Sequence, residues 1–210
     1  MTDAQLTYEG PEQLHANQLF HAILSVTPGI DLTTGASVAI GVKHVSDFGE
    51  PQIDLPDAEN YIVIETPSQE SEWQLRTRPV DSFSSKFGDW TRHPWNQGIH
   101  LDLISGSVGS QETVMIYLGG PKESGPGYRC QSFVEHPFRF RLGLDLEGSG
   151  SWQTVPVLDS PGVPIIGARP VQIKCIVSDS TGQSTDTLAR IKPEDCYGNV
   201  AGEAAGDVTL

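Results

Sequence analysis

The chain has 210 residues and a formal net charge of −14 at pH 7, from 27 acidic and 13 basic side chains. Such an acidic chain repels phosphate backbones and anionic lipid surfaces, so neither nucleic acids nor membranes are expected partners. Its 22 glycines and 15 prolines favour a turn-rich β protein over a helical bundle.

The chain carries no sequence signal for export or membrane insertion. Its first ten residues are polar and acidic, unlike a signal peptide, and no apolar stretch approaches the ~20 residues that span a bilayer. Three cysteines, Cys130, Cys175 and Cys196, leave at least one thiol unpaired, which is more typical of a reducing compartment. We therefore expect a cytoplasmic protein.

Runs of alternating apolar and polar residues, bounded by Gly and Pro, predict a succession of β-strands. In chain order the strands of the first part are predicted at residues 19–26, 37–45, 61–65, 100–104, 113–118, 129–134 and 137–145. The strands at 100–104 and 113–118 are joined by a turn-rich segment and are predicted to pair. The number and spacing of these runs predict an all-β fold of immunoglobulin-like antiparallel β-sandwiches.

A change in composition predicts a domain boundary. A Gly/Ser-rich turn after residue 147 is followed by Pro156, Pro161 and Pro164, which stiffen the chain. We therefore predict a β-sandwich domain at 1–147, a linker at 148–162 and a second unit at 163–210. The second unit has about four predicted strands, against about seven in a full sandwich. It is expected to be incomplete, or to borrow strands from something else.

The segment 71–97 is long for a connection between strands and is rich in aromatic and basic side chains. Aromatic rings beside arginines suit a partner surface or a sugar ligand. The structural alternative is a loop that packs its own aromatic rings onto the sandwich. The residues predicted to contact a partner or ligand are Trp73, Arg76, Arg78, Trp90, Arg92, His93 and Trp95.

Catalytic and metal-binding patterns are missing from the sequence. The six histidines have no metal-ligand spacing, and there is no Gly-x-Ser-x-Gly elbow or phosphate loop. Asp54, Asp57 and Glu59 place three carboxylates in one loop and form the calcium candidate, although acidic turns of this kind also arise from turn chemistry. We expect no catalytic residue and no cofactor.

Six short motifs occur in a recognisable order between residues 28 and 210. They are Pro28-Gly29-Ile30, Ser46-Asp47-Phe48-Gly49-Glu50-Pro51-Gln52, Asn60-Tyr61, His93-Pro94-Trp95, Gly125-Pro126-Gly127-Tyr128-Arg129-Cys130-Gln131-Ser132-Phe133 and Asp195-Cys196-Tyr197-Gly198-Asn199. This series resembles the N-terminal β-rich region of the bacterial domain-of-unknown-function family 3604. In that family the region precedes a PHP-type metal phosphoesterase domain, which opens with Gly-Asp-Leu-His. This motif does not occur in the chain, so the resemblance implies an accessory module without the family's metal ligands.

These observations favour a non-catalytic accessory module or subunit. It is expected to pack on a PHP-like metal-dependent hydrolase and help shape the substrate entrance, or to pack on a second copy of itself. One alternative is a carbohydrate-binding module that uses the segment from Trp73 to Trp95 as a stacking platform. Another is a stand-alone hydrolase whose His/Asp cluster forms only in three dimensions.

Overall fold

A computed structural model of the chain describes residues 3–43, 45–67, 70–76, 97–121, 124–155, 160–177 and 189–201. These residues form strands and turns and contain no helix, so none of them lies in a helix that could cross a membrane. The strands are β1 (Gln5–Glu9), β2 (Leu14–His15), β3 (Leu19–Phe20), β4 (Ala22–Thr27), β5 (Leu32–Thr33), β6 (Ser37–Val42), β7 (Ile62–Glu65), β8 (Glu72–Arg76), β9 (Gln97–Ser105), β10 (Ser107–Val108), β11 (Val114–Leu118), β12 (Tyr128–Arg129), β13 (Glu135–Arg139), β14 (Arg141–Asp145), β15 (Gln153–Thr154), β16 (Gly162–Ile166), β17 (Gln172–Val177) and β18 (Ala189–Glu194).

One sheet has four antiparallel strands in the order β1-β4-β11-β7. Its strands alternate in burial because successive side chains of a strand point to opposite faces. In β4, Leu24 and Val26 are fully buried, whereas Ile23 and Ser25 are half-buried on the outer face. The sheet therefore presents one apolar face to the interior and one mixed face to solvent.

The second large sheet has five antiparallel strands in the order β15-β14-β6-β9-β8. All six residues of β6 are buried, including the small residues Ala39 and Gly41 that alternate with Val38 and Ile40. Gly98 of β9 lies opposite Gly41 with a φ of +132°, and a Cβ there would come within 2.0 Å of the Ile40 carbonyl oxygen. The pairing of β6 with β9 thus requires glycine at position 98.

The inner faces of the two sheets share one hydrophobic core, and this makes the fold a sandwich. Buried side chains from both sheets belong to the same cluster, for example Leu24 and Ile116 from the first sheet and Ile40 and Leu101 from the second. The prediction of an all-β, antiparallel β-sandwich is confirmed. An aromatic group fills one end of the core, and it consists of Phe20, Phe48, Tyr128, Phe138 and Phe140.

Several details of the strand prediction were wrong. The predicted strands 19–26 and 137–145 are each divided between two sheets, the first into β3 and β4 and the second into β13 and β14. The strands around 100–104 and 113–118 do not pair, because β9 lies in the five-stranded sheet and β11 in the four-stranded sheet. The turn between them forms β10, which pairs with β5 and carries the chain from one sheet to the other. The strand predicted at 129–134 is limited to Tyr128–Arg129, since Gln131 and Ser132 bond instead to Ser46 and Asp47.

The region predicted as a second unit divides into two parts. Strand β16 pairs with β13 on one side and with β2 on the other, and Val163 and Ile165 belong to the main core. Strands β17 and β18 form a separate two-stranded hairpin. The division into a domain at 1–147, a linker at 148–162 and a unit at 163–210 stays a prediction.

Candidate functional site

The hairpin of β17 and β18 has one apolar face that is open to solvent. Cross-strand partners share a face, so Ile173 opposite Pro193 and Cys175 opposite Ile191 lie on the same side. Ile173 is 66% exposed and Ile191 37%, and Cys175 is also exposed. Val171, just before β17, is 65% exposed. We call these five residues the apolar hairpin face. Exposed apolar patches of this kind mark interaction surfaces.

The opposite face of the hairpin carries the exposed Ile176 beside polar side chains, several of which bond to Glu194. The carboxylate of Glu194 is 3% exposed and accepts contacts of 2.7 Å from both Lys174 Nζ and Lys192 Nζ. Gln172 Nε2 adds a third contact at 3.1 Å. The hydrogen bonds from Lys174 and then Lys192 hold the pKa of Glu194 below its usual value. The Glu194 carboxylate is therefore compensated by lysines of the hairpin itself.

A tight turn after β18 begins at Asp195, whose side chain is fully buried. The carboxylate accepts hydrogen bonds from the backbone N–H groups of Ala168 at 2.8 Å and of Tyr197 and Asn199 at 2.9 Å, and from Asn199 Nδ2 at 2.9 Å. Burial raises the pKa of Asp195, but the four hydrogen bonds together outweigh it and leave the pKa below its usual value. The bond from Ala168 thus attaches this turn to the segment that follows β16.

The same turn attaches the hairpin to the sandwich. Asn199 Nδ2 donates to the Ser132 carbonyl at 2.8 Å, and its Oδ1 accepts from Val134 N–H at 3.2 Å. On the other side, Asn17 Nδ2 bonds to the hydroxyl of Tyr197. Two of the sequence motifs, the run ending at Phe133 and the Asp195–Asn199 turn, are therefore neighbours in space. The hydrogen bonds of these turns attach the hairpin to the sandwich, so the connection is not a free linker.

Two further motifs of the same series, Ser46–Gln52 and Asn60-Tyr61, meet beside this junction. Arg129 forms an ion pair with Glu59, its N–H donates to Asn60 Oδ1 at 2.8 Å, and its carbonyl accepts from Gly49 N–H at 3.0 Å. Tyr128 donates its hydroxyl to the Gly49 carbonyl at 2.7 Å. The side-chain hydrogen bond to Arg129 is the main reason that the pKa of Glu59 is lowered. This network joins loops that are distant in the sequence.

Two of the residues predicted to contact a partner lie on β8. Trp73 is half-buried and packs against the hydrophobic core, while Arg76 forms a two-pronged ion pair with Asp102 of β9. Asp102 also accepts from Ser37 Oγ at 2.6 Å. Arg78, Trp90, Arg92, His93 and Trp95 lie outside the described residues. Their role in contacting a partner or ligand stays a prediction.

The calcium candidate does not assemble as one set of ligands. Asp54 and Asp57 are exposed, and Glu59 is engaged by Arg129. Within the described residues no group of three or more His, Cys, Asp or Glu side chains is placed to hold a metal ion. Gln52 closes this loop instead, since its side-chain oxygen accepts from the backbone N–H groups of Asp54 at 3.0 Å and Leu55 at 2.8 Å.

The described cysteines do not form a nucleophilic site. Cys130 lies in the core, where burial raises the pKa of its thiol to about 12, so it stays protonated at neutral pH. Cys175 is exposed in the middle of the apolar hairpin face. Its cross-strand partner on that face is the aliphatic Ile191.

Sequence reasoning identified β17 and β18 as strands but did not identify their open face. The signal was present: Val171, Ile173 and Cys175 alternate with Gln172 and Lys174. Alternation predicts one apolar face. Whether anything covers that face depends on the rest of the fold.

A scan of the chain against protein-family models finds no match, and no curated protein matches its sequence. Among solved structures, a cohesin module from the family 33 glycoside hydrolase of Clostridium perfringens matches with 10% identity and a TM-score of 0.36. The match covers 80% of this chain and all of that module. A similarity this distant does not bear on function.

Proposed function

We propose that this chain is a non-catalytic accessory module that binds a folded protein partner through the apolar hairpin face. The observation that carries the proposal is the contrast between the two faces of one hairpin. On one face the buried Glu194 is bonded by Lys174 and Lys192, whereas on the other face Ile173 and Cys175 are exposed to water. A two-stranded hairpin is only marginally stable in water, so a partner that covers this face stabilises it.

The chemistry of the hairpin defines the kind of surface that fits it. Strands β17 and β18 carry Lys174, Arg190 and Lys192 against the single acidic residue Glu194, a net charge of +2 by counting, while the whole chain carries −14. These charges lie on the face opposite the apolar hairpin face, so the surface that fits the apolar hairpin face is itself apolar.

The more specific proposal is that the partner is a PHP-type metal-dependent hydrolase domain, whose substrate entrance the module helps to shape. Its support is the resemblance in motif order, and two of those motifs supply the bonds between Ser132 and Asn199 at the base of the hairpin. The module itself contributes no metal ligand in this proposal.

The first experiment compares two variants that change opposite faces of the hairpin. The double variant Ile173→Ser, Ile191→Ser removes the apolar hairpin face. The matched control Ile176→Ser changes an isoleucine of the same strand that is 57% exposed on the opposite face. Each protein is mixed with the PHP-type domain encoded with or beside this chain, and complexes are measured by size-exclusion chromatography with light scattering.

We expect a 1:1 complex for the wild type and for Ile176→Ser, and no complex for the double variant. Equal association of all three proteins would overturn docking through this face. Failure of the wild type to associate would overturn the PHP-type partner. If the wild type instead forms a homodimer and the double variant does not, the partner of this face is a second copy of the chain and not the PHP-type domain.

A further inference from the structure

The outer face of the four-stranded sheet carries a pocket at the end where β1, β4 and β11 meet. Glu9 of β1 lies opposite Ile23 of β4, and Ile23 lies opposite Tyr117 of β11. These three side chains form one row across the sheet. The pocket above this row has a volume of about 390 Å³, which is within the range of small-ligand sites.

The walls of the pocket come from the turns beside this row. Gly10 and Pro11 form one side, and His21 and Gly120 complete the lining. A Cβ at position 10 would come within 2.7 Å of both Ala22 Cβ and Tyr8 Oη, so only glycine allows this close approach. The Nδ1 atom of His21 is buried without a hydrogen-bond partner in the described part of the chain. The pocket wall therefore contains a buried ring nitrogen that has no hydrogen-bond partner among the described residues.

The charge around the pocket is negative. Glu9 is the only acidic residue of the lining, no lysine or arginine lines it, and Glu9 has no ion pair among the described residues. Tyr117 donates its hydroxyl to Glu65 at 2.9 Å, which adds a second carboxylate nearby. This hydrogen bond is the main cause that raises the pKa of Tyr117, and the charge of Glu9 contributes in the same direction. The phenol therefore stays neutral beside the pocket.

We propose that this pocket binds a small organic cation, an ammonium group on an apolar body. The ammonium group lies beside the Glu9 carboxylate, and the apolar body lies against Ile23 and the ring of Tyr117, where a cation–π contact adds to the attraction. An anion is repelled by Glu9 and Glu65. A sugar is a poorer fit, because its many hydroxyl groups need partners and the Tyr117 hydroxyl is already bonded to Glu65.

Three ligands with the same ring and different charge test the proposal: benzylamine, benzyl alcohol and benzoate. Binding is followed by two-dimensional ¹H–¹⁵N NMR on the whole chain, which also locates the site. Glu9→Gln removes the carboxylate of the pocket. The matched control Glu12→Gln removes the same charge from an exposed residue three positions away that does not line the pocket.

We expect benzylamine to shift the amide signals of Glu9, Gly10 and residues 21–23 and 117–120, and to bind about fivefold more tightly than benzyl alcohol. Benzoate should bind most weakly. Glu9→Gln should reduce the affinity for benzylamine to that for benzyl alcohol, while Glu12→Gln leaves it unchanged. Equal affinity for the three ligands, shifts elsewhere on the chain, or no binding would overturn the proposal.

Discussion

At the scale of single residues, one buried carboxylate holds the junction between hairpin and sandwich. Asp195 accepts four hydrogen bonds, three of them from backbone N–H groups. In Asp195→Asn one acceptor oxygen becomes an N–H₂ group that faces donors, so buried donors lose their partner. We expect the free energy of unfolding to fall by about 1–3 kcal/mol in a urea titration.

The exposed Asp57 supplies the control for this substitution. Asp57→Asn makes the same chemical change at a side chain that has no hydrogen bond to the described part of the chain, and should alter the unfolding free energy by less than about 0.5 kcal/mol. Identical urea midpoints for Asp195→Asn and Asp57→Asn would show that the Asp195 turn does not stabilise the fold.

A second residue-scale prediction concerns His100 of β9, which is 5% exposed and stacks edge-on against Trp152. Burial, followed by the positive charge of Arg76, lowers the pKa of His100 to about 4, although Asp102 opposes the shift. Between the unfolded pKa near 6.5 and this folded value, the unfolded chain binds more protons. Stability is therefore lost as the pH falls through this window.

From pH 6.5 to pH 5 we expect His100 to account for a loss of about 1.5 kcal/mol in the free energy of unfolding. His100→Gln should make this part of the pH profile flatter, as measured by urea unfolding at several pH values. His15→Gln, at an exposed position, controls for removing a histidine. A His100→Gln profile with the wild-type slope would contradict the assignment.

At the scale of elements, β16 decides whether the chain after residue 162 is part of the sandwich. Ile165 is 1% exposed, and it lies opposite Glu135 of β13 and Leu14 of β2. Ile165→Ala leaves a cavity in the shared core, and we expect the free energy of unfolding to fall by about 2–4 kcal/mol. Ile176→Ala, in the exposed hairpin, should change it by less than about 0.5 kcal/mol.

Strand content was predictable at this scale, whereas strand pairing was not. The alternation in β4 and β6 is local and can be read from consecutive residues. The pairing of β9 and β11 was predicted wrongly because a short turn-rich connection usually joins neighbours. Here Ser107–Val108 pairs with Leu32–Thr33, far away in the sequence, and this contact directs the two strands into different sheets.

At the scale of the whole molecule, the net charge of −14 opposes compaction. Salt screens this repulsion, since the Debye length falls from roughly 14 Å at ~0.05 M to ~4 Å at ~0.5 M. We expect the melting temperature to rise when sodium chloride is raised over this range. A melting temperature that stays constant or falls would show that ion pairs such as Arg76–Asp102 matter more than the net repulsion.

The accessory-module proposal also belongs to this scale, because it depends on what the sandwich leaves uncovered. The sheets bury their inner faces against each other, but the hairpin of β17 and β18 has no second layer over Ile173 within the described residues. The candidate surface therefore follows from the arrangement of layers and not from any one motif.

The sequence by itself determined the all-β class, most strand positions and the acidic surface, because alternation and charge are properties of neighbouring residues. Asp195 and Asn199 also belong to one of the motifs read from the sequence, which does not show their contacts. Only the tertiary structure decided that Asn17 and Tyr197 meet, that β16 enters the main core, and that Glu9, Ile23 and Tyr117 share one row. Each of these features depends on pairing between distant segments of the chain. The free energy that selects such pairings comes from the burial of apolar side chains in the common core, and no pattern of neighbouring residues contains that information.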